Sequence, residues 1–488
     1  MSSQFAMNGA LLVPLLGALL IALCGRWPNL RETVTLVTAG LLFALVLSLL
    51  PEVFAGARPE VTWVTMLPGV TLGLRVEPLG LLFALVASGL WIVTSVYAIG
   101  YMRGHNEHSQ TRFYACFAVA LAAAMGVAFA ADLMTLFICY EVLTLSTYPL
   151  VAHQGDEKAM RGGRIYLGIL LSTSMGLLLP AMVWTWLLAD SLQFTPGGLL
   201  AGQIEGAALV LLLGLYAYGV GKAAMMPLHR WLPEAMVAPT PVSALLHAVA
   251  VVKAGVFTVL KIAIYIFGAD TLSGTTAATL LAYGAAIGLV TASLIALGKD
   301  NLKARLAYST VSQLAYIVLA AALANAAGLL GGALHIAMHA AGKITLFFCA
   351  GAIYVAHHRT EVSQLDGLGR RMPFTFAAFF IGALSIIGIP PLGGSWTKWY
   401  LVLGSIEAQH WPLVAALALS SVLNIAYLLP IVARGFFLPA RDDEPRGISE
   451  APLACVLPLC LTALLCVALF FGIDPLAALL RPLTEGTG

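Results

Sequence analysis

Fourteen stretches of this chain are apolar enough, and at about 18 residues or more long enough, to cross a bilayer as a helix. They fall at 6–24, 32–50, 78–101, 113–131, 133–152, 163–189, 206–228, 241–266, 276–297, 304–324, 328–355, 373–402, 411–434 and 451–472. In hydrocarbon every main-chain N–H and C=O must be paired inside the protein, and a helix does this within its own segment. The expected fold class is therefore an all-α polytopic membrane protein. Only 10% of the 488 residues are charged, where a soluble chain carries about a quarter. A net charge of +2 gives no footing for a nucleic-acid partner. The seven cysteines form no CxxC pair and mostly sit in apolar runs, so they read as small hydrophobes. The first basic residue, Arg26, follows the first apolar run, so that run reads as a retained helix and not a cleaved signal. "VTWVTMLPGVTLGLRVEP" alternates about Pro68-Gly69 and predicts a short surface hairpin; residues 435–450 read as a solvated loop.

Charge supports this count. With the loops taken alternately, one side holds 17 Lys and Arg, from Arg26 to Arg446, and the other holds Arg58, Arg75 and Arg481. The basic side is expected to be cytoplasmic, with both termini on the outer side.

Five lysines belong to neither set: Lys222, Lys253, Lys261, Lys343 and Lys398 all fall inside predicted spans, with one acid, Glu141. A charge at mid-bilayer costs about 2.5–3.5 kcal/mol, so six could cost roughly 15–20 kcal/mol if all were central. A long stem can carry an amine to the interface instead. That outcome is expected for Lys261, near the end of its stretch, and not for Lys222, Lys253 or Lys343. Glu141 is too short to escape, and its plain alternative is a buried ion pair. Burial disfavours a charged amine and a nearby carboxylate restores it, so a lysine with adjustable proton affinity suits a relay.

The chain breaks beside two of these lysines. "GKAAMMPLHRWLPEAMVAPTPVSALLHAVAVVKAG", 221–255, carries Pro227, Pro233, Pro239 and Pro241 after Lys222; "GIPPLGGSWTKWYL", 388–401, places Pro390, Pro391, Gly393 and Gly394 before Lys398. Irregular backbone at membrane depth is tolerated where it is buried or lines a cavity. Two broken helices at matching places in two halves point to a midplane transport site. The expected division is 1–112, three helices with a periplasmic hairpin; 113–266 and 276–434, two inverted five-helix repeats with the seventh and twelfth helices broken; and 451–472, a last helix. "HIAMHAAGK" sets His335, His339 and Lys343 on one helical face at i, i+4 and i+8. Histidine titrates near neutrality and can pass protons; ordinary buried imidazoles are the plain alternative. A bis-His haem would need a partner such as His247, and a zinc site would need carboxylate or thiolate company that these two histidines lack. No cofactor and no metal is expected. His105, His108, His357 and His358 fall in loops on the basic side and read as solvated. His247, His229 and Lys261 are possible accessory groups.

These motifs resemble the antiporter-like subunits shared by respiratory complex I, membrane-bound hydrogenases and Mrp-type cation/proton antiporters, from about the third to the thirteenth helix. "FICYEVLTLSTYPLV", 137–151, is similar to the family's fifth helix, 221–255 to its seventh and eighth, "LAYSTVSQLAY", 306–316, to its tenth, "HIAMHAAGKITLFFCAGAI", 335–353, to its eleventh, and 388–401 to its broken twelfth. The resemblance implies that Glu141 tunes Lys222, and that protons pass Lys253 and His335 or His339 toward Lys398. It implies other membrane subunits as partners, protons and Na+ or K+ as the transported species, and the bacterial inner membrane. The chain looks most like the MrpD component of Mrp-type antiporters; the alternative is a proton-pumping component of an NADH:quinone oxidoreductase or hydrogenase complex. Some complex I members have glutamate where Lys398 stands, and the family's Gly-Phe before that lysine is here Ser395-Trp396. The chain ends about sixteen residues after its last stretch, unlike the largest complex I component with its lateral helix or the MrpA component. No catalytic chemistry is expected of this chain alone. A stand-alone solute carrier would need a substrate-sized polar pocket, whereas this sequence offers titratable groups in series; a haem or quinone protein would need histidine pairs or a cysteine cluster.

Overall fold

The structure, a computed structural model, describes residues 2–439 and 447–484. Arg441 and Arg446, part of the 17 basic residues, lie outside the described residues. The helices are α1 (Ser3–Leu23), α2 (Pro28–Leu47), α3 (Pro78–Gly104), α4 (Gln110–Phe129), α5 (Leu133–Val151), α6 (Glu157–Ala189), α7 (Gly206–Gly219), α8 (Thr240–Phe267), α9 (Thr276–Leu297), α10 (Leu302–Leu323), α11 (Ala326–His357), α12 (Pro373–Ile387), α13 (Gly394–Glu407), α14 (Trp411–Phe437) and α15 (Leu453–Phe471). Among the described residues, twelve helices are long and apolar enough to cross a membrane. The other two predicted stretches, 206–228 and 373–402, hold the shorter apolar helices α7 and α12, each ending at a break.

Local chemistry sets these ends. Asp132, Asp156, Thr275, Asn301 and Asn325 each turn a side-chain oxygen to a main-chain N–H of the first turn of α5, α6, α9, α10 and α11. Proline opens α2, α3 and α12, where its missing N–H costs nothing. The predicted hairpin is present, with β1 (Glu60–Leu67) antiparallel to β2 (Val70–Arg75) around Pro68-Gly69. Asp132 ties it to the helices, accepting from the Thr71 N–H and hydroxyl, both at 2.8 Å.

Burial separates the helices into two classes. The most apolar stretches of α8 and α11 are wholly enclosed and that of α10 nearly so, whereas α1, α2, α6, α14 and α15 leave most of theirs facing outward. The outward side chains, such as Leu19, Leu41, Leu187, Ile287 and Leu464, are apolar, as contact with lipid tails requires. Of the enclosed helices, α8 carries Lys253 and Lys261 and α11 carries Lys343. The protein therefore keeps its polar residues at the centre and its oil-like residues at the rim.

Both breaks are satisfied from within. Helix α7 stops at Gly219, before Lys222, so that Lys222 lies in a single 3-10 turn, Gly221–Ala223, rather than in the helix. The cause lies upstream of the four prolines, in the Gly219-Val220-Gly221 sequence, which holds a helix poorly. The freed main-chain groups find side chains: the Trp231 indole N–H donates to the Gly221 carbonyl at 3.0 Å, and the Lys222 N–H donates to the Tyr140 hydroxyl at 3.0 Å. Gly255 of α8 lies directly on this turn, where any Cβ would collide with the Lys222–Ala223 peptide. At the second break Gly388 takes φ +89°, a conformation open chiefly to glycine, and the Lys398 stem fills the space its Cβ would need.

Lys261 departs from expectation. Snorkelling is expected near a helix end, yet its side chain is fully buried. The reason is that α8 runs on through a π turn to Phe267, and the segment 195–200 bonds the Tyr265 and Ile266 carbonyls there, with Glu77, just before α3, reaching the lysine. Its ammonium meets Glu77 at 3.2 Å, donates to the Ala130 carbonyl at 2.7 Å and lies 4.3 Å from the Phe194 ring centroid. Removing one partner of a buried pair strands the other charge. Lys261→Ala is therefore expected to lower unfolding stability in detergent by about 3–5 kcal/mol, and Lys261→Met with Glu77→Gln to recover most of it. A single variant as stable as the parent would contradict the pair.

Candidate functional site

Lys222, Lys253 and Lys343 are fully buried, as are His335 and His339 to within 2%; Lys398 is half-buried. A buried ammonium must replace its water with fixed acceptors. Lys222 Nζ donates to the Tyr140 carbonyl at 2.8 Å and to Thr144 Oγ1 at 2.5 Å, and it sits 3.1 Å from the Tyr140 ring centroid. Lys343 Nζ donates to Ser309 Oγ at 2.6 Å and the Leu306 carbonyl at 3.2 Å. Lys398 Nζ donates across its own break to the Ile387 carbonyl at 2.9 Å, the end of α12, where the helix dipole also favours a cation. Ser421 Oγ accepts from it at the same distance.

Lys253 differs from the other four lysines. Its Nζ meets His339 Nδ1 at 2.5 Å, a side chain that itself titrates. From there α11 continues the chain of groups: the His339 and His335 rings stack with centroids 5.6 Å apart, and His335 Nδ1 meets Thr397 Oγ1 at 2.9 Å, one residue before Lys398. Tyr316 lies between them, its ring 5.6 Å from His335 and 5.1 Å from Lys398 Nζ.

A second route joins Lys343 to Lys398. Ser309, already bonded to Lys343, accepts from the Tyr427 hydroxyl at 2.9 Å. With the Asn424 amide turned so that no donor faces a donor, its nitrogen donates to Tyr427 Oη at 2.5 Å and its oxygen accepts from Lys398 Nζ at 3.1 Å and Gln313 Nε2 at 3.2 Å. The polar groups of α10, α11, α13 and α14 thus form one connected set through the enclosed centre.

Other predicted residues stand apart from that set. Glu141 is buried, but neither carboxylate oxygen has a hydrogen-bond partner, and among the described residues no ion pair joins it to Lys222. Lys222 is linked to α5 and, through Gly255, to the backbone of α8, with no direct bond to Lys253. His247 lies in a π turn of α8, 4.9 Å from the Phe347 ring, with both ring nitrogens unpartnered. His229 is half-buried beside Tyr308, outside the connected set. Tyr140, Thr144, Ser309, Gln313, Tyr316, Thr397, Asn424 and Tyr427 are the residues that sequence reasoning did not assign. Their signal was present: Ser420, Asn424 and Tyr427 recur at i, i+4 and i+7 of an apolar stretch.

Comparison with known proteins bears on this arrangement. Residues 130–424, which contain both breaks and all five lysines, match the family described as NADH:quinone oxidoreductase/Mrp antiporter, TM. The chain belongs to this family. The N component of the NADH-quinone oxidoreductase of Desulforudis audaxviator is 34% identical over 403 residues, covering 79% of each protein. Component B of hydrogenase-4 from Escherichia coli is 30% identical over 428 residues, covering 83% of this chain but 63% of its own length. A chain of the Mrp complex from Dietzia sp. DQ12-45-1b superposes with a TM-score of 0.86 over 100% of this chain and 99% of that one, at 23% identity, so the fold is shared. As a member of the family the chain is a polytopic, antiporter-like membrane subunit.

The connected set makes a stability prediction. Asn424→Leu keeps the volume but leaves Gln313, Lys398 and Tyr427 each one partner short. Thermal unfolding in detergent is expected to show a loss of about 1–3 kcal/mol; no loss would mean the amide is not part of the network.

Proposed function

We propose that this chain moves protons as the antiporter-like component of a multisubunit membrane complex, of the Mrp type and in the MrpD role, exchanging protons for a monovalent cation such as Na+. The observation that carries the reading is the direct contact of Lys253 with His339, continued through His335 and Thr397 to Lys398. Every member of this file can bind or pass a proton, and among the described residues no carboxylate pairs with any of them. Like charges this close repel, so the file holds protons in turn and not all at once. Lys222 hands its proton toward Lys253 across the turn on which Gly255 rests. The two buried, unpartnered nitrogens of His247 suit water in the same region, since such groups in native proteins are normally hydrated. Glu141, near the exposed Ile138, Val142 and Leu145 of α5, adjusts the charge on Lys222 from the side where a neighbouring protein of the complex would sit.

On this reading 113–266 and 276–434 are inverted repeats, each bringing one broken helix and one lysine to the middle of the bilayer. The chain lies in the bacterial inner membrane with its basic loops inside and its termini outside. It performs no catalysis of its own. Lys398, rather than glutamate, supports the Mrp-type assignment. The 34% identity to a component of an NADH-quinone oxidoreductase favours a second reading, a proton pump driven by redox partners.

Lys222→Ala and Lys253→Ala are each expected to abolish proton movement in everted vesicles while the chain still assembles with its partners. Wild-type acidification by either variant would refute the relay. Tyr427→Phe, which cuts only the Ser309–Asn424 link, should slow transport several-fold without abolishing it. Proton release that depends on added Na+ or K+ identifies the exchanger; release that depends on electron donor and quinone identifies the pump.

A further inference from the structure

Away from the lysines, two connections meet on the face that carries most basic residues. One joins α3 to α4 and the other joins α5 to α6. They bring together Glu107, His108 and His153, whose ligand-capable atoms all lie within 4.8 Å of one another. His153 has no exposed surface, and neither of its ring nitrogens has a hydrogen-bond partner; its Nε2 is 3.9 Å from Glu107 Oε2. A fully buried imidazole with two orphan nitrogens requires an explanation. The His108 ring stands 5.1 Å from it, centroid to centroid, and is open to solvent.

Two of the three groups, Glu107 and His153, are held from behind. Gln154 Nε2 donates to both Glu107 oxygens, at 3.3 and 3.0 Å. Gln110 Nε2 donates to the Glu107 carbonyl at 3.0 Å, and Arg112 donates to the His153 carbonyl at 2.9 Å. Such outer contacts orient ligands without occupying them.

We propose that Glu107, His108 and His153 form a binding site for a divalent transition ion of the Zn2+ class. Two imidazoles and one carboxylate are the donor set that such ions favour, with a fourth position left for water on the exposed His108 side. Ca2+ and Mg2+ want six or more oxygens and find one carboxylate here. Metal–nitrogen bonds of about 2.0–2.1 Å in a tetrahedron place ligand atoms roughly 3.3 Å apart, so the Glu107–His153 pair, now at 3.9 Å, and the set as a whole, now within 4.8 Å, must draw together by up to roughly 1.5 Å, a shift that the exposed His108 side chain is free to make. The ion must compete with Lys303, which lies in the field of Glu107 and whose Nζ donates to the Ala238 carbonyl at 2.6 Å, just before α8. Sequence reasoning placed His108 in a solvated loop and gave His153 no role, because the two are 45 positions apart and only packing joins them.

Adding Zn2+ to the metal-stripped full chain in detergent tests the site. One Zn2+ per chain is expected, with a saturable rise in unfolding temperature that Mg2+ does not produce. X-ray absorption at the zinc edge should show two imidazole ligands. His108→Ala, an exposed change that spares the fold, and Glu107→Gln should each weaken binding at least tenfold. His105→Ala, whose ring pairs with His358 at 5.8 Å, should leave it unchanged. Parent-like Zn2+ affinity in His108→Ala and Glu107→Gln, or no stoichiometric binding by the parent, would overturn the proposal.

Discussion

A cation in hydrocarbon must find its acceptors inside the protein, and this requirement organises the whole structure. Four of the five membrane lysines meet it in the same way, by bonding a main-chain carbonyl: Tyr140 for Lys222, Ala130 for Lys261, Leu306 for Lys343 and Ile387 for Lys398. The carbonyls come from two settings: Ala130 caps the end of α4 and Ile387 ends α12 at the second break, whereas Tyr140 and Leu306 lie inside α5 and α10, where each carbonyl also accepts from a threonine hydroxyl. At the second break, therefore, the interruption supplies the acceptor that the Lys398 ammonium takes.

Lys253 is the exception, and it marks the centre of the site. Its partner is a titratable ring and not a fixed dipole. A proton bonded between two groups that each accept it has two resting places, whereas a proton on Lys261, clamped by Glu77 and Ala130, has one. Lysines of the same type in the same membrane thus divide by the company they keep: Lys261 is clamped by a carboxylate and a carbonyl, and Lys253 faces a ring that can itself take the proton. The glycine at 255 lets the backbone of the first break approach the helix that carries Lys253.

Most of the architecture was legible because a bilayer leaves few choices. The long apolar runs, the hairpin at Pro68-Gly69 and the two interruptions follow from composition and from the behaviour of proline and glycine. Element ends were less legible. Helix α7 stops before Lys222 and not at the prolines beyond it: Gly219-Val220-Gly221 holds a helix poorly, and the freed groups are taken by Trp231 and Tyr140, partners that no local pattern announces. The fate of Lys261 was misread for a related reason. Whether a long side chain near a helix end reaches the interface depends on what covers that end, and Glu77 lies 184 positions earlier in the chain.

The sequence by itself determined that this is a membrane-embedded helical protein, which residues carry charge into the bilayer and where the backbone must open, since these follow from transfer energies and local backbone chemistry. The tertiary structure alone decided which of those charges touch. Lys253 met His339 rather than Glu141, Lys343 reached Lys398 through Ser309, Tyr427 and Asn424, and Lys222 kept to Tyr140 and Thr144. Such pairings depend on how distant helices pack, and packing direction is not written in the periodicity of any one of them.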